Sequence, residues 1–162
     1  MIAPDKAQNV LEICRLKKLR LSTVESCTGG LVIASLTDIA GSSDVVECGF
    51  ITYSNKAKSD MVGVDPNLIS KFGAVSKPVA IAMAEGALFH SNADIALSTT
   101  GIAGPEGGTE EKPVGTVHMA IALKGNKTIH YEFLFDNEGR EEIRKKAVLK
   151  ALDLLLDRLR NA

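Results

Sequence analysis

Helical and strand patterns alternate along most of this chain, and this alternation restricts the possible folds more than any other feature of the sequence. Hydrophobic periodicity predicts helices over residues 4–19, 28–39, 55–62, 66–72, 77–91 and 139–160. It predicts strands over residues 19–24, 45–53, 93–99, 115–123 and 127–135. Lys124-Gly125-Asn126 separates the last two strands, which is typical of an antiparallel hairpin, and Asn137 is the predicted N-cap of the last helix.

This order of elements predicts an α/β fold in three layers. Helices that alternate with strands cover both faces of a sheet, and a hairpin near the end of the chain makes the sheet mixed. We therefore expect an α/β/α sandwich with a mixed sheet, helices on both faces, a C-terminal β-hairpin and a long closing helix. The 162 residues contain no linker, internal repeat or low-complexity tract, so they suit a single domain over 1–162.

The composition disfavours several functional classes. A net charge of −1 provides no broad basic surface for duplex DNA, so no nucleic-acid partner is expected. The three cysteines form no CxxC pair and the three histidines lack metal-ligand spacing, so we expect no disulfide framework, no metal and no other cofactor. A signal-peptide pattern and an apolar run of transmembrane length are both absent, so the expected compartment is the cytoplasm, away from membranes.

The first strand-to-helix junction carries two candidate nucleophiles. In the stretch STVESCTGGLVIASL, Ser26 and Cys27 follow an apolar strand and precede two glycines and a helix. Open α/β sheets bind ligands at the carboxyl ends of their strands. The backbone N–H groups of Cys27, Thr28 and Gly29 could hold a phosphate there, or the oxyanion of an acyl-transfer intermediate. Alternatively, Ser26 or Thr28 only caps the helix.

Of the two nucleophiles, the pattern favours the serine. A catalytic cysteine usually needs a histidine, and no histidine falls in a predicted loop near this edge of the sheet. We therefore interpret Cys27 as a small buried thiol. Ser26 has its own requirement, because a serine hydroxyl is a weak nucleophile without a neighbouring base.

The end of the second strand offers a base. In GFITYSNKAKSDMVG, Tyr53 ends the strand, and Lys56 and Lys58 follow in the first turns of the next helix. Burial and the helix dipole both lower the pKa of a lysine at this place, and a neutral amine can accept a serine proton. Tyr53 could relay that proton or orient the amine. The alternative is that both lysines lie on a solvated helix face, which we favour for Lys56.

A third strand end, in ALSTTGIAGPEGG, brings Thr100 and a glycine-rich loop over 101–113 to a sheet edge. If the three strands are parallel, Ser26, Tyr53 and Thr100 converge on one cleft. Either the loop folds over a ligand or it is a flexible surface loop. The loop glycines that could approach a ligand are Gly101, Gly104, Gly107 and Gly108.

Two arginines open the last helix, in DNEGREEIRKKA. Arg140 and Arg144 lie in its first two turns, where a cation opposes the helix dipole unless an anion is near. A guanidinium suits a phosphate, but the neighbouring Glu138, Glu141 and Glu142 could equally pair with Arg140.

Six blocks together resemble a known family. ESCTGG, GFITYSNKAK, FGAVS, TGIAGPEGG, KPVGTVHMAI and REEIRKKAV occur in this order, over about residues 11–156. They resemble the C-terminal domain of the competence/damage-inducible CinA proteins, whose stand-alone members are nicotinamide-nucleotide amidohydrolases. The resemblance implies metal-free hydrolysis of nicotinamide mononucleotide to nicotinate mononucleotide and ammonia, in pyridine nucleotide salvage, by a homo-oligomer.

The same resemblance assigns roles to residues. It makes Ser26 the nucleophile, Lys58 the general base and Tyr53 the residue that completes the catalytic site. The backbone at Cys27, Thr28 and Gly29 would form the oxyanion hole. The alternatives to this function are a non-catalytic nucleotide-binding module associated with competence, and an amidase for another small amide. The expected substrate-binding residues are Gly30, Thr100, Gly101, Gly104, Gly107 and Arg140.

Overall fold

Six helices and five strands follow one another in the order that the sequence predicts. The computed structural model describes all 162 residues, Met1–Ala162. A short 3₁₀ turn, Ser42–Asp44, is an addition that the hydrophobic pattern does not predict. The elements are α1 Pro4–Lys17, β1 Leu21–Glu25, α2 Leu31–Thr37, β2 Val46–Ile51, α3 Asn55–Val62, α4 Pro66–Phe72, α5 Lys77–Phe89, β3 Ile95–Gly101, β4 Thr116–Leu123, β5 Ile129–Leu134 and α6 Arg140–Arg160.

The strands form one mixed sheet in the order β2-β1-β3-β4-β5. Both β2 and β3 run parallel to β1, whereas β4 is antiparallel to β3 and forms a hairpin with β5. Glu25 at the end of β1 is in register with Ile51 of β2 and Thr99 of β3. The carboxyl ends of the three parallel strands therefore meet at one edge of the sheet.

Helices cover both faces of the sheet, which confirms the three-layer α/β/α prediction. On one face α1, α2 and α6 bury the larger apolar cluster, to which α6 contributes Leu152, Leu155 and Leu159. On the other face α3, α4 and α5 bury a smaller cluster around Val24 and Met83. None of the six helices combines the length and apolar character that crossing a membrane requires.

Two helix starts differ from the prediction. Helix α2 begins at Leu31, because residues 26–30 form a turn in which Gly29 and Gly30 have φ of 59° and 99°. Glycine adopts these positive φ values without the steric cost that a side chain adds. Helix α6 begins at Arg140 after Gly139, and no side chain caps it, so the prediction that Asn137 caps this helix is wrong.

Candidate active site

A cavity of about 270 Å³ opens at the sheet edge where the parallel strands end. Its walls come from the β1–α2 turn, the start of α3, the segment before α5, the end of β3 and the start of α6. The structure therefore has the predicted convergence of three strand ends at one cavity. The lining residues are Ser26, Cys27, Tyr53, Asn55, Lys58, Ala74, Val75, Thr100, Gly101, Ala103 and Arg140.

Ser26 and Lys58 lie side by side in this cavity. The N–H of Ser26 donates to the Thr99 carbonyl (2.9 Å), which extends the β1–β3 ladder by one residue and holds the serine at the sheet edge. Lys58 projects from α3, whose start is capped by the Ser54 hydroxyl. Lys58 Nζ lies 3.1 Å from Ser26 Oγ, a distance at which the two groups can share a proton.

Burial and the lack of an ion pair favour the uncharged form of Lys58. The side chain is only 1% exposed, and it takes part in no ion pair. Its neighbours are carbonyl oxygens, that of Thr52 at 2.8 Å and that of Tyr53 at 3.3 Å from Nζ. Burial lowers the pKa of Lys58 below its usual value of 10.5. Lys56, on the same helix, is exposed, as the sequence indicates.

Tyr53 contributes to the cavity in a way that the sequence does not predict. Its main-chain carbonyl lies within 3.5 Å of Ser26 Oγ as well as near Lys58 Nζ. Its phenol oxygen instead accepts a hydrogen bond from Arg140 Nη2 (3.0 Å), and Arg140 Nη1 donates to the Gly104 carbonyl (2.9 Å). Arg140 thus lines the cavity without a carboxylate partner.

The turn after Ser26 presents two free backbone donors, Cys27 N–H and Thr28 N–H, which have no acceptor within the chain. Gly29 N–H donates to the Ser26 carbonyl (3.0 Å), and Gly30 N–H donates to Glu25 (3.0 Å). The expectations that Gly29 is an oxyanion donor and that Gly30 binds substrate need correction, because both amides already have acceptors. Thr28 is buried and, like the two glycines, does not line the cavity, but its N–H is unpaired.

Glu25 holds the turn beside the cavity, a role that was not predicted from the sequence. Its buried carboxylate accepts hydrogen bonds from the N–H groups of Gly30, Val32 and Ile33, at 2.9–3.1 Å, and so takes the place of a capping side chain for α2. The Thr28 hydroxyl also donates to Glu25 (2.6 Å), so Thr28 braces the turn with its side chain. A helix N-terminus favours a nearby acidic side chain, and Glu25, at the end of the strand that leads into α2, could have pointed to this role.

Cys27 has the environment of an inert thiol. Its side chain is buried in the larger apolar cluster, and burial raises the pKa of the thiol to about 12. A thiol with so high a pKa carries almost no thiolate at neutral pH. This agrees with its interpretation as a small buried side chain and leaves Ser26 as the nucleophile candidate.

The residues at the end of β3 and in the loop that follows it differ in how they contribute to the cavity. Thr100 lines the cavity, but its hydroxyl donates to the Ala74 carbonyl (2.8 Å). A side chain at Gly101 would begin 2.8 Å from the Thr116 carbonyl, so only glycine fits there. Gly104 is connected to the site through its carbonyl, which accepts a hydrogen bond from Arg140. Gly107 lies in the exposed part of the loop and does not line the cavity.

Four further residues form the walls without having been predicted from the sequence, namely Asn55, Ala74, Val75 and Ala103. No pattern in the sequence distinguishes them, because short helices and turns bring them to the cavity. Ser76, which follows Val75, caps α5 through its hydroxyl. The structure contains no cluster of three or more His, Cys, Asp or Glu side chains placed to hold a metal ion.

Comparison with known proteins relates this site to a family. The model of the CinA C-terminal domain matches residues 4–159. A CinA-like protein of Akkermansia muciniphila is 48% identical over 90% of this chain, which spans 35% of that relative's length. A protein of Escherichia coli K12 named nicotinamide-nucleotide amidohydrolase PncC is 46% identical over 92% of this chain and 90% of its own.

The crystal structure of a competence/damage inducible protein from Agrobacterium tumefaciens has the same fold. It superposes with a TM-score of 0.93 at 47% identity, over 95% of this chain and 93% of that one. A family model that matches nearly the whole chain and a solved relative at this identity agree with the six sequence blocks. The chain therefore belongs to the CinA C-terminal domain family.

Proposed function

We propose that this chain hydrolyses the carboxamide of nicotinamide mononucleotide, releasing nicotinate mononucleotide and ammonia. The observation that carries the proposal is the 3.1 Å separation of Ser26 Oγ from Lys58 Nζ, a buried amine that no carboxylate neutralises. The relative named nicotinamide-nucleotide amidohydrolase, similar over 90% of its own length, supports this substrate. The reaction would belong to pyridine nucleotide salvage.

The first half of the reaction makes an acyl-enzyme. Neutral Lys58 accepts the proton of Ser26 as Oγ attacks the carboxamide carbon. The resulting oxyanion is held by the free N–H groups of Cys27 and Thr28, and losing one such donor typically costs about 2.7–4 kcal/mol of barrier. The Lys58 ammonium then protonates the amide nitrogen, the C–N bond breaks and ammonia leaves.

The second half regenerates the serine. A water molecule attacks the ester carbon while Lys58, again neutral, accepts a proton from it. When the second tetrahedral intermediate collapses, the C–Oγ bond breaks and Lys58 returns the proton to Ser26. Tyr53 assists through its main-chain carbonyl, which lies 3.3 Å from Lys58 Nζ and keeps the amine directed at the serine.

The rest of the cavity would bind the nucleotide. Arg140, which lines the cavity and has only neutral partners, is the residue for the 5′-phosphate. Thr100 and Gly101 form the wall of the cavity at the end of β3. A neutral Lys58 also suits the cationic pyridinium of the substrate, which a charged lysine would repel.

The test compares four purified proteins in an assay of ammonia released from nicotinamide mononucleotide. Ser26→Ala and Lys58→Ala should each lower kcat by several orders of magnitude, because nucleophile and base act as a unit. Lys56→Ala is the matched control, since it removes an exposed lysine from the same helix and should retain wild-type activity. Circular dichroism establishes that all four proteins are folded.

Three results would contradict the proposal in different ways. Nucleotide binding without ammonia release by the wild-type protein would favour a non-catalytic binding module. Release from another pyridine amide but not from the mononucleotide would make the chain an amidase of different specificity. Wild-type activity in Ser26→Ala would exclude the acyl-enzyme route.

A further inference from the structure

Arg144, in the second turn of α6, binds the turn that follows Ser26. Its Nε donates to the Cys27 carbonyl (3.1 Å) and its Nη2 donates to the Thr28 carbonyl (3.2 Å). Arg144 does not line the cavity that holds Ser26, and it forms no ion pair with a carboxylate. Because it lies outside the lining of the cavity, Arg144 is not placed to bind a phosphate there.

These two bonds determine which way the neighbouring N–H groups of the candidate oxyanion hole point. In a trans peptide the C=O and N–H groups point in opposite directions. The bond from Arg144 to the Cys27 carbonyl thus directs the Thr28 N–H away from the guanidinium. The bond to the Thr28 carbonyl does the same for the Gly29 N–H, which closes the turn on the Ser26 carbonyl at 3.0 Å.

The charge on Arg144 also changes the donor itself. Hydrogen bonds from a charged group are about twice as strong as neutral ones, and a peptide whose oxygen accepts such a bond is a stronger donor at its nitrogen. The Thr28 N–H, which has no acceptor within the chain, belongs to a peptide polarised in this way.

The lack of a side chain at position 29 allows Arg144 to come close to the turn. Gly29 has φ of 59°, and a Cβ built there would lie 3.1 Å from Arg144 Nη2. Any side chain at this position would therefore crowd the guanidinium. The turn is thus held on one side by Arg144 and on the other by Glu25, which accepts the N–H of Gly30.

From these contacts we infer that Arg144 is a positioning residue, which orients and polarises the Cys27–Thr28 peptide so that its N–H stabilises the oxyanion of amide hydrolysis. This inference rests on the proposed function. Arg144 acts through the peptide and does not touch the substrate, so its effect belongs to the transition state. A planar fork that reaches two successive carbonyls is specific to arginine, which lysine does not reproduce.

The test measures kcat and KM for nicotinamide mononucleotide in Arg144→Gln and Arg144→Lys. Lys145→Gln is the matched control, because it removes a positive charge from the neighbouring position. Both Arg144 variants should lose about 10- to 100-fold in kcat, as expected for a weakened oxyanion donor, while KM changes by less than about 3-fold. Lys145→Gln should retain wild-type values.

A second readout does not depend on turnover. In ¹H–¹⁵N spectra the Thr28 amide proton should shift upfield in both Arg144 variants, because the peptide oxygen loses its charged donor, and should stay in place in Lys145→Gln. This measurement applies even where a variant is less stable, provided that the spectrum remains that of a folded protein.

The outcomes separate this inference from the proposed function. An active wild-type protein whose Arg144 variants keep their kcat, or raise only KM, would overturn the role of Arg144 and leave the amidase proposal standing. An unchanged Thr28 resonance in a folded Arg144 variant would overturn it as well. A wild-type protein without amidase activity would overturn both.

Discussion

Lys58 combines almost complete burial with the absence of any carboxylate partner. A buried ammonium in such a place is costly, so burial shifts the protonation equilibrium of Lys58 toward the neutral amine. The lowered pKa is therefore a consequence of where α3 places the residue rather than of its sequence neighbours. Lys56, two positions earlier and exposed, shows that the same residue type on the same helix can have a purely surface role.

This lowered pKa predicts a pH dependence of both activity and stability. The value of kcat/KM should rise with pH through the folded-state pKa of Lys58, below 10.5, because only the neutral amine accepts the serine proton. Between that pKa and 10.5 the unfolded chain binds the extra proton, so the free energy of unfolding should also rise with pH.

Chemical denaturation across this pH range, on wild type and Lys58→Met, checks the stability part. The difference in unfolding free energy, wild type minus variant, should increase with pH until the unfolded lysine titrates. Parallel profiles for the two proteins would mean that Lys58 has an ordinary pKa and cannot serve as the base.

At the scale of elements, the position of Lys58 depends on how closely α3 approaches α5. Gly86 of α5 faces the end of α3, and a Cβ built at Gly86 would lie 2.0 Å from the carbonyl oxygen of Val62. Backbone cannot yield to such a contact as a flexible side chain can. The two helices can therefore pack at this distance only because position 86 has no side chain.

Gly86→Ala should consequently destabilise the protein by about 1–3 kcal/mol, although alanine is the better helix former. The variant should also lose kcat, since moving α3 separates Lys58 from Ser26. Glu85→Ala, at the neighbouring exposed position of α5, should change stability by no more than about 0.5 kcal/mol. Denaturant unfolding of both variants measures the difference, and a stabilised Gly86→Ala would contradict the packing argument.

On the scale of the whole molecule, the hairpin that completes the sheet carries a pair of histidines. His118 of β4 and His130 of β5 face each other, with Nδ1 of the first 2.8 Å from Nε2 of the second. Burial lowers the pKa of both below 6.5, even though Glu132 partly opposes the shift. Lys112 and Lys77 add to the lowering, at His118 and His130 respectively.

Folding should therefore weaken on acidification. Below pH 6.5 the unfolded chain binds protons that the native histidines resist. The contribution of this pair to the free energy of unfolding should therefore fall as pH falls and stay level above that value. His130→Gln removes one member of the pair and should reduce this slope. Unfolding curves between pH 5 and pH 8 provide the comparison, and equal slopes in both proteins would show that the pair does not couple to folding.

The order of elements and their faces could be read from the sequence, because hydrophobic periodicity is a local property that burial imposes on every helix and strand. The three strand ends and the choice of Ser26 and Lys58 as candidates follow from such local patterns. The cap of α6 was misread, because Asn137 is a good capping residue type whose side chain this turn leaves unused.

Contacts between distant segments were decided only by the tertiary structure. The 3.1 Å approach of Lys58 to Ser26, the bonds of Arg144 to the turn 117 and 116 residues earlier and the link from Arg140 to Tyr53 all join separate elements. Glu25 sits beside its partners in sequence, yet its role depends on burial beneath α2. Local pattern thus determines which elements form, whereas packing determines which of their polar groups meet and how burial shifts their pKa values.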